Sequence, residues 1–239
     1  MSWGVMSTQE TISRYATAKG ASMNSGAAVA RIAPVVYGRP AATSNANAFV
    51  GDYAGKRLMD LMIAASALVV LAPLMLLIWT MVYVSSGGPG LFWSQRVGRG
   101  GLTFWMPKFR TMAEDAPLSP REVLEGADSH ITPIGAWLRR SALDELPQLF
   151  CVLTGDMSII GPRPLLPSDP GVDARRRFPD AISARPGLSG LAQVVGRNSV
   201  SPRRKARLDA FYAQSASFGL DVIIFWRTAG IVLTSRGFL

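Results

Sequence analysis

One histidine, His130, and one cysteine, Cys151, are the whole stock of imidazole and thiol in this 239-residue chain. A histidine-based triad, a zinc cluster and a disulfide framework are therefore hard or impossible to build from it. The lone cysteine also fits a reducing compartment better than an oxidised extracellular scaffold. Acid is scarce as well: 16 Asp and Glu stand against 25 Lys and Arg, a net charge of +9 and a pI near 10.4. That imbalance implies an anionic partner: nucleic acid, lipid headgroups or a phosphorylated substrate. With 49% hydrophobic residues and a mean hydropathy of +0.22, the chain is greasy for a nucleic-acid binder and points to a membrane surface first. If it is an enzyme, carboxylates, arginines, lysines and hydroxyls must do its chemistry.

Large apolar residues are few in the first part of the chain. Residues 1–52 are rich in Ser, Ala, Thr, Asn and Gly, and show no sustained periodicity. They read as a disordered polar leader in preference to an organelle transit peptide, and a secretory signal is excluded because no apolar core follows the first basic residues.

Charge then vanishes. After Lys56-Arg57, the run LMIAASALVVLAPLMLLIWTMVYV (residues 61–84) contains no ionisable group except Tyr83 near its end. A continuous helix of this run would reach roughly 36 Å, enough to span a bilayer. Trp79 and Tyr83 suit an interfacial belt. Pro73 lies mid-run, where it removes a helix hydrogen bond and kinks the axis. Basic residues flank both ends: Lys56 and Arg57 before; Arg96, Arg99, Lys108 and Arg110 after. The positive-inside tendency would keep both ends in the cytoplasm, as in a re-entrant hairpin. A tilted, kinked single span is equally compatible with these residues. A nucleic-acid-binding role explains the charge but not this run.

Beyond SSGGPG (residues 85–90), residues 91–112 read as short strands and turns, and 113–128 as a polar surface loop. Thr132-Pro133 is a cap and first-turn signal for a short helix ending near Arg140. Ser141 is then placed to cap a further helix whose first turn carries Asp144-Glu145. Pro147 is tolerated only near a helix start, so both acids lie at the amino end, where free N–H groups and the dipole favour a carboxylate. Residues 161–204, rich in Gly, Pro and Arg, read as looped. Arg163, Arg185 and Arg197 each adjoin a turn residue, so their guanidinium forks can converge on one anion. FGLDVIIFWRTAGIVL (residues 218–233) reads as an interfacial or packed helix.

Five motifs, in order, resemble the bacterial sugar transferases, the monotopic phosphoglycosyl transferases: KRLMD (56–60), KFRTM (108–112), LDELPQLF (143–150), GDMSIIGPRP (155–164) and RPGLSGLAQVVGRN (185–198). The resemblance implies an α/β, mostly α, fold: a membrane re-entrant helical hairpin (53–86) followed by a small cytosolic catalytic domain (87–239) with short strands, interfacial helices and long Arg/Gly/Pro-rich loops. It implies transfer of a sugar-1-phosphate from a UDP-sugar to undecaprenyl phosphate at the cytoplasmic face of a bacterial inner membrane, as the first step of exopolysaccharide or lipid-linked glycan assembly. Asp144 would be the nucleophile and Mg²⁺ contact, Glu145 its partner carboxylate, and Arg163 and Arg197 phosphate ligands. Lys108 and Arg185 are further substrate-binding candidates, and Pro73 the membrane kink. Its exopolysaccharide-type members suggest a hexose such as glucose or galactose. Family members often carry Ser before the kink proline; here it is Ala72.

The competing reading is a non-enzymatic, membrane-anchored basic adaptor for anionic lipids, which would not need DE, PRP and GRN together. Isolated first-turn acids are common, and only the motif set makes this pair catalytic. Arg139 and Arg140 read as helix-end or headgroup charges, Asp156 as a turn residue, His130 as a loop or cap residue, and Cys151 as a small buried apolar side chain.

Overall fold

A computed structural model of the chain describes residues 51–86, 88–113, 130–196 and 200–233. The leader, except Gly51 and Asp52, lies outside the described residues, as do Arg197 and nearly all of the polar 113–128 loop.

Helix α1 (Lys56–Ser86) takes up the apolar run in 31 residues, with Pro73 inside it. Proline has no N–H to offer the Val69 carbonyl. Thr80 does not substitute, since its hydroxyl donates to the Leu76 carbonyl at 2.9 Å. Only 11% of the most apolar stretch of α1 is buried against the rest of the protein, so it is no core helix of a soluble domain. Val69, Val70 and Leu76 are 77%, 74% and 66% exposed. Each such side chain left in water forgoes about 1.5–3 kcal/mol of burial, which lipid can supply.

The two ends of α1 behave differently from its middle. At the start, Lys56 Nζ pairs with Asp221 at 2.6 Å, and Arg57 donates to the carbonyls of Val152 and Leu153. Asp60 accepts from Ser158 Oγ and from the Ile159 backbone N–H. Toward the other end, Ile78 and Val82 pack with Phe109 and Leu138 in one buried cluster. Residues near both ends of the helix therefore pack on one folded body, and the middle is left uncovered.

That body is mostly helical with two small sheets. Strands β1 (Leu91–Val97) and β2 (Thr103–Phe109) form an antiparallel hairpin in which Phe92 faces Lys108 and Arg96 faces Phe104. Helix α2 (Pro133–Ser141) starts as expected, with Thr132 Oγ1 accepting from the Gly135 N–H and Pro133 in the first turn. A 3-10 helix (Leu143–Gln148) and α3 (Leu149–Thr154) lead into β3 (Ser158–Ile160), which pairs in parallel with β4 (Gly187–Ser189).

The looped reading of residues 161–204 is corrected by four helices within or starting in it: α4 (Pro170–Arg176), α5 (Pro179–Ser183), α6 (Leu191–Gly196) and α7 (Pro202–Ser215). Three of them begin on proline, which is harmless at a first helical position because the missing N–H would have had no partner. The glycines serve packing as well: a Cβ on Gly187 would sit 2.0 Å from the Gly161 nitrogen, so β3 and β4 approach only because neither residue has one. Helix α8 (Phe218–Leu233) buries Leu220, Asp221 and Ile224 and exposes Phe218, Phe225 and Trp226, so it is packed on one side and apolar-exposed on the other.

Candidate active site

The dyad sits at the junction of α2 and the 3-10 helix. Ser141 does not cap that helix, contrary to expectation. It ends α2, and its hydroxyl is turned back onto the Trp137 and Leu138 carbonyls. The junction is made by Ala142, at φ 55 the one non-glycine left-handed residue among those described. This conformation costs on the order of 1 kcal/mol for an L-residue and tends to persist where geometry matters. It swings the chain so that Asp144 and Glu145 occupy the first turn, as the position of Pro147 requires.

The hairpin face opposite supplies cations. Lys108 Nζ donates to Glu145 Oε1 at 2.7 Å, and Arg163 Nη2 lies 3.5 Å from the same oxygen. Arg96 stands close enough to feel both Glu145 and Arg163, and Ser94 Oγ accepts from its Nε at 3.1 Å. Burial and the neighbouring Arg163 cation push the Arg96 guanidinium down to about 10. Arg139, whose Nε donates to Thr111 Oγ1, acts on Asp144 from the last turn of α2. Four cations thus face two carboxylates, a local excess that suits a polyanionic ligand.

The two acids are driven apart. Burial raises the Glu145 carboxyl, but Lys108, Arg163 and Arg96 outweigh it and hold the group at about 2. Burial also raises Asp144, and Glu145 adds to the rise; Lys108, Arg139 and Arg163 offset it only in part, leaving Asp144 at about 6. Asp144 is 9% exposed, and no hydrogen bond or ion pair among the described residues engages its carboxylate. It is a largely ionised, basic, uncommitted carboxylate at neutral pH.

The remaining sequence candidates divide. Lys108 and Arg163 are brought to the dyad. Arg185 instead lies 3.8 Å from Asp52, beside Arg99, which pairs with the same carboxylate at 3.3 Å. Arg197 is outside the described residues. Asp156 accepts from Thr154 Oγ1 at 2.7 Å, a turn contact. Cys151 is buried with its thiol on the Trp105 carbonyl, and burial together with Asp156 pushes it up to about 11, so it is inert. Arg96 and Arg139 were missed as site residues. For Arg96 the signal is strand alternation: once Phe92 is registered against Lys108, Arg96 falls on the lysine's face of the hairpin.

No group of three or more His, Cys, Asp or Glu side chains is assembled among the described residues, so an all-protein metal cage is not formed there. The donor set that is present, one hard carboxylate without a protein partner among the described residues and a second beside it, fits Mg²⁺, which is commonly held by one or two carboxylates plus substrate phosphates.

Fold and site together define a protein with an exposed apolar helix, long enough to enter a membrane, and a buried carboxylate beside a cluster of cations. The bacterial sugar transferase family model matches residues 51–235, and the chain belongs to that family. It is 37% identical over 198 residues to the exopolysaccharide production protein ExoY of Sinorhizobium fredii, covering 76% of this chain and 87% of ExoY. Against the UDP-glucose:undecaprenyl-phosphate glucose-1-phosphate transferase of Caulobacter vibrioides it is 38% identical over 189 residues, 75% of this chain and 70% of that protein. It is 35% identical over 201 residues to the undecaprenyl-phosphate galactose phosphotransferase of Salmonella typhimurium, matching 76% of this chain but only 41% of that protein.

Proposed function

We propose that this chain transfers a sugar-1-phosphate from a UDP-sugar to undecaprenyl phosphate in two displacements at Asp144. The observation that carries the reading is the division of labour in the dyad: Glu145 takes the cations, and Asp144 stays buried and uncommitted. An Asp144 oxygen attacks the β-phosphorus of the nucleotide sugar. The bond from that phosphorus to the bridging oxygen breaks, and the electron pair leaves with UMP. A phosphate oxygen of the lipid then attacks the phosphorus of the aspartyl adduct, which returns the carboxylate to Asp144. Neither step requires a proton to be removed from the nucleophile, which accords with a site lacking histidine.

Carboxylate and pyrophosphate repel one another. Lys108, Arg96, Arg163 and Arg139 offset that repulsion and stabilise charge that builds on the equatorial oxygens. Bound Mg²⁺ at Asp144 would add charge neutralisation of the pyrophosphate. Covalent catalysis lets a water-soluble and a lipid-borne substrate use one site in turn.

In this reading α1 is re-entrant, bent at Pro73, and the catalytic body faces the cytoplasm. Support comes from Lys56, Asp60, Ile78 and Val82, all buried against the same body although they lie toward opposite ends of the helix. A straight 31-residue helix would place its ends about 46 Å apart.

The test uses membranes carrying the full chain with Mg²⁺, undecaprenyl phosphate and a panel of UDP-sugars, glucose and galactose first. UMP release with one sugar is expected, together with a phosphosugar mass on the peptide containing Asp144. Absence of UMP release with every sugar, or an adduct on another residue, overturns the mechanism.

A further inference from the structure

A groove of about 740 Å³ opens where the far end of α1 meets the hairpin, lined by Trp79, Tyr83, Leu91, Phe92, Trp93 and Arg110. Its walls are fixed. Trp79 and Tyr83 stack at 5.4 Å, and Gly90 fits only because a Cβ there would come within 2.7 Å of the Trp79 ring. Arg110 is the one charged group in this lining. Its Nε is enclosed without a partner, and among the described residues no hydrogen bond or ion pair engages its side chain. An unsatisfied buried donor costs about 1–3 kcal/mol, more on a charged group, so such a guanidinium is built to meet an anion.

The groove is placed between two features already described. On one side lies the exposed apolar surface of α1. On the other is Lys108, two residues or about 7 Å along the strand from Arg110 and bonded to Glu145. An aromatic groove holding an unpaired cation, beside the exposed apolar surface of α1 and two residues along the chain from Lys108, suits a phosphate carried on a hydrocarbon chain.

We propose that this groove receives the lipid phosphomonoester acceptor, with Arg110 binding its phosphate and the Trp79–Tyr83–Trp93 wall bedding the first isoprene units. The inference rests on the two-step reading above and assigns the groove to its second step alone. Arg110 is a binding residue here, not one that touches the nucleotide sugar.

The experiment separates the steps with full-length protein in lipid nanodiscs. In the first arm, UDP-sugar is supplied without lipid acceptor, and the burst of UMP and the adduct on Asp144 are measured. In the second, the adduct is chased with undecaprenyl phosphate, a short water-soluble prenyl phosphate or inorganic phosphate. Arg110→Gln should form adduct within about twofold of the wild type and discharge it to undecaprenyl phosphate at least tenfold more slowly, with a raised KM for the lipid. Arg110→Lys should recover part of the loss. Trp93→Ala should raise the KM for the long chain and leave the short phosphate unaffected. An unchanged chase in Arg110→Gln, or a parallel fall in adduct and chase, overturns the assignment. A photoreactive polyprenyl phosphate reads the groove without turnover: crosslinks at residues 88–93 that Arg110→Gln abolishes are expected, and crosslinks elsewhere reject it. A wild type that forms no adduct but crosslinks in the groove would defeat the two-step reading and spare the lipid site.

Discussion

Lys108 donates to Glu145 across 2.7 Å, while no hydrogen bond or ion pair among the described residues engages the carboxylate of Asp144, the next residue back. Adjacent carboxylates usually share their surroundings. Here one is bonded to a cation and the other feels the same cations without a bond, so two chemically similar groups have different environments.

The first prediction concerns pH. Burial raises Asp144 to about 6, and its ionised form is the nucleophile, so UMP release should fall about tenfold per pH unit below that value and level off above it. A first-turnover pH profile measures this. A profile flat from pH 5 to 8 would separate the rate from Asp144.

Asp144→Asn should abolish UMP release and the adduct together while making the protein more stable. For a carboxyl raised in the folded state, folding favours the protonated form. Stability therefore rises as pH falls from above 6 toward the ordinary carboxyl value near 4. An amide removes that cost, worth about 2–3 kcal/mol at pH 7.5. Thermal melts should show Asp144→Asn above the wild type at pH 7.5, with the gap narrowing by pH 5. A variant that melts lower at pH 7.5 contradicts the account.

Lys108 holds both acids down. Its replacement by methionine frees Glu145 from its closest cation and lets Asp144 rise further. The expected outcome is a 10²–10³-fold slower first step, the usual scale for one lost electrostatic contact, with the acidic limb of the profile displaced to higher pH. A slower step with an unmoved limb would mean that Lys108 works on substrate alone.

Arg163 is 49% exposed beside Glu145, free to turn toward incoming phosphate. Arg163→Ala should raise the KM for the nucleotide sugar and leave membrane attachment intact, as judged by substrate titration and by sedimentation with membranes. An unaltered KM would remove it from the binding set.

Membrane topology is open to thiol labelling, because the natural Cys151 is buried and silent. Ala54→Cys and Pro89→Cys sit at exposed positions before and after α1. An impermeant reagent should reach both from the cytoplasmic side and neither from outside. Labelling from opposite sides would establish a single crossing.

Much of this was legible in the residues. The apolar run, the Thr132-Pro133 helix start and the first-turn placement of Asp144-Glu145 follow from local rules, because hydrophobic length, capping and proline tolerance act within a few residues. The helices of 161–204 are hidden by composition, because Pro170, Pro179 and Pro202 look like breakers and are starters. The site was less legible. Lys108 and Arg163 lie far from the dyad in sequence, and only the fold brings them to Glu145. Arg96 needs the hairpin register, and the unpaired Arg110 needs the position of Trp79. Arg185, adjacent to a turn as expected, is held by Asp52, a pairing that no local pattern announces.

The buried pair of Lys56 and Asp221 is separated by 165 positions in the chain. During synthesis the lysine is made 165 residues ahead of its counter-charge and enters a setting that the aspartate reaches only later. Until then the start of α1 cannot be buried without a stranded cation, at a cost of about 3–5 kcal/mol. The membrane segment should therefore partition into lipid first and be clamped last, with α8 as the closing piece of assembly.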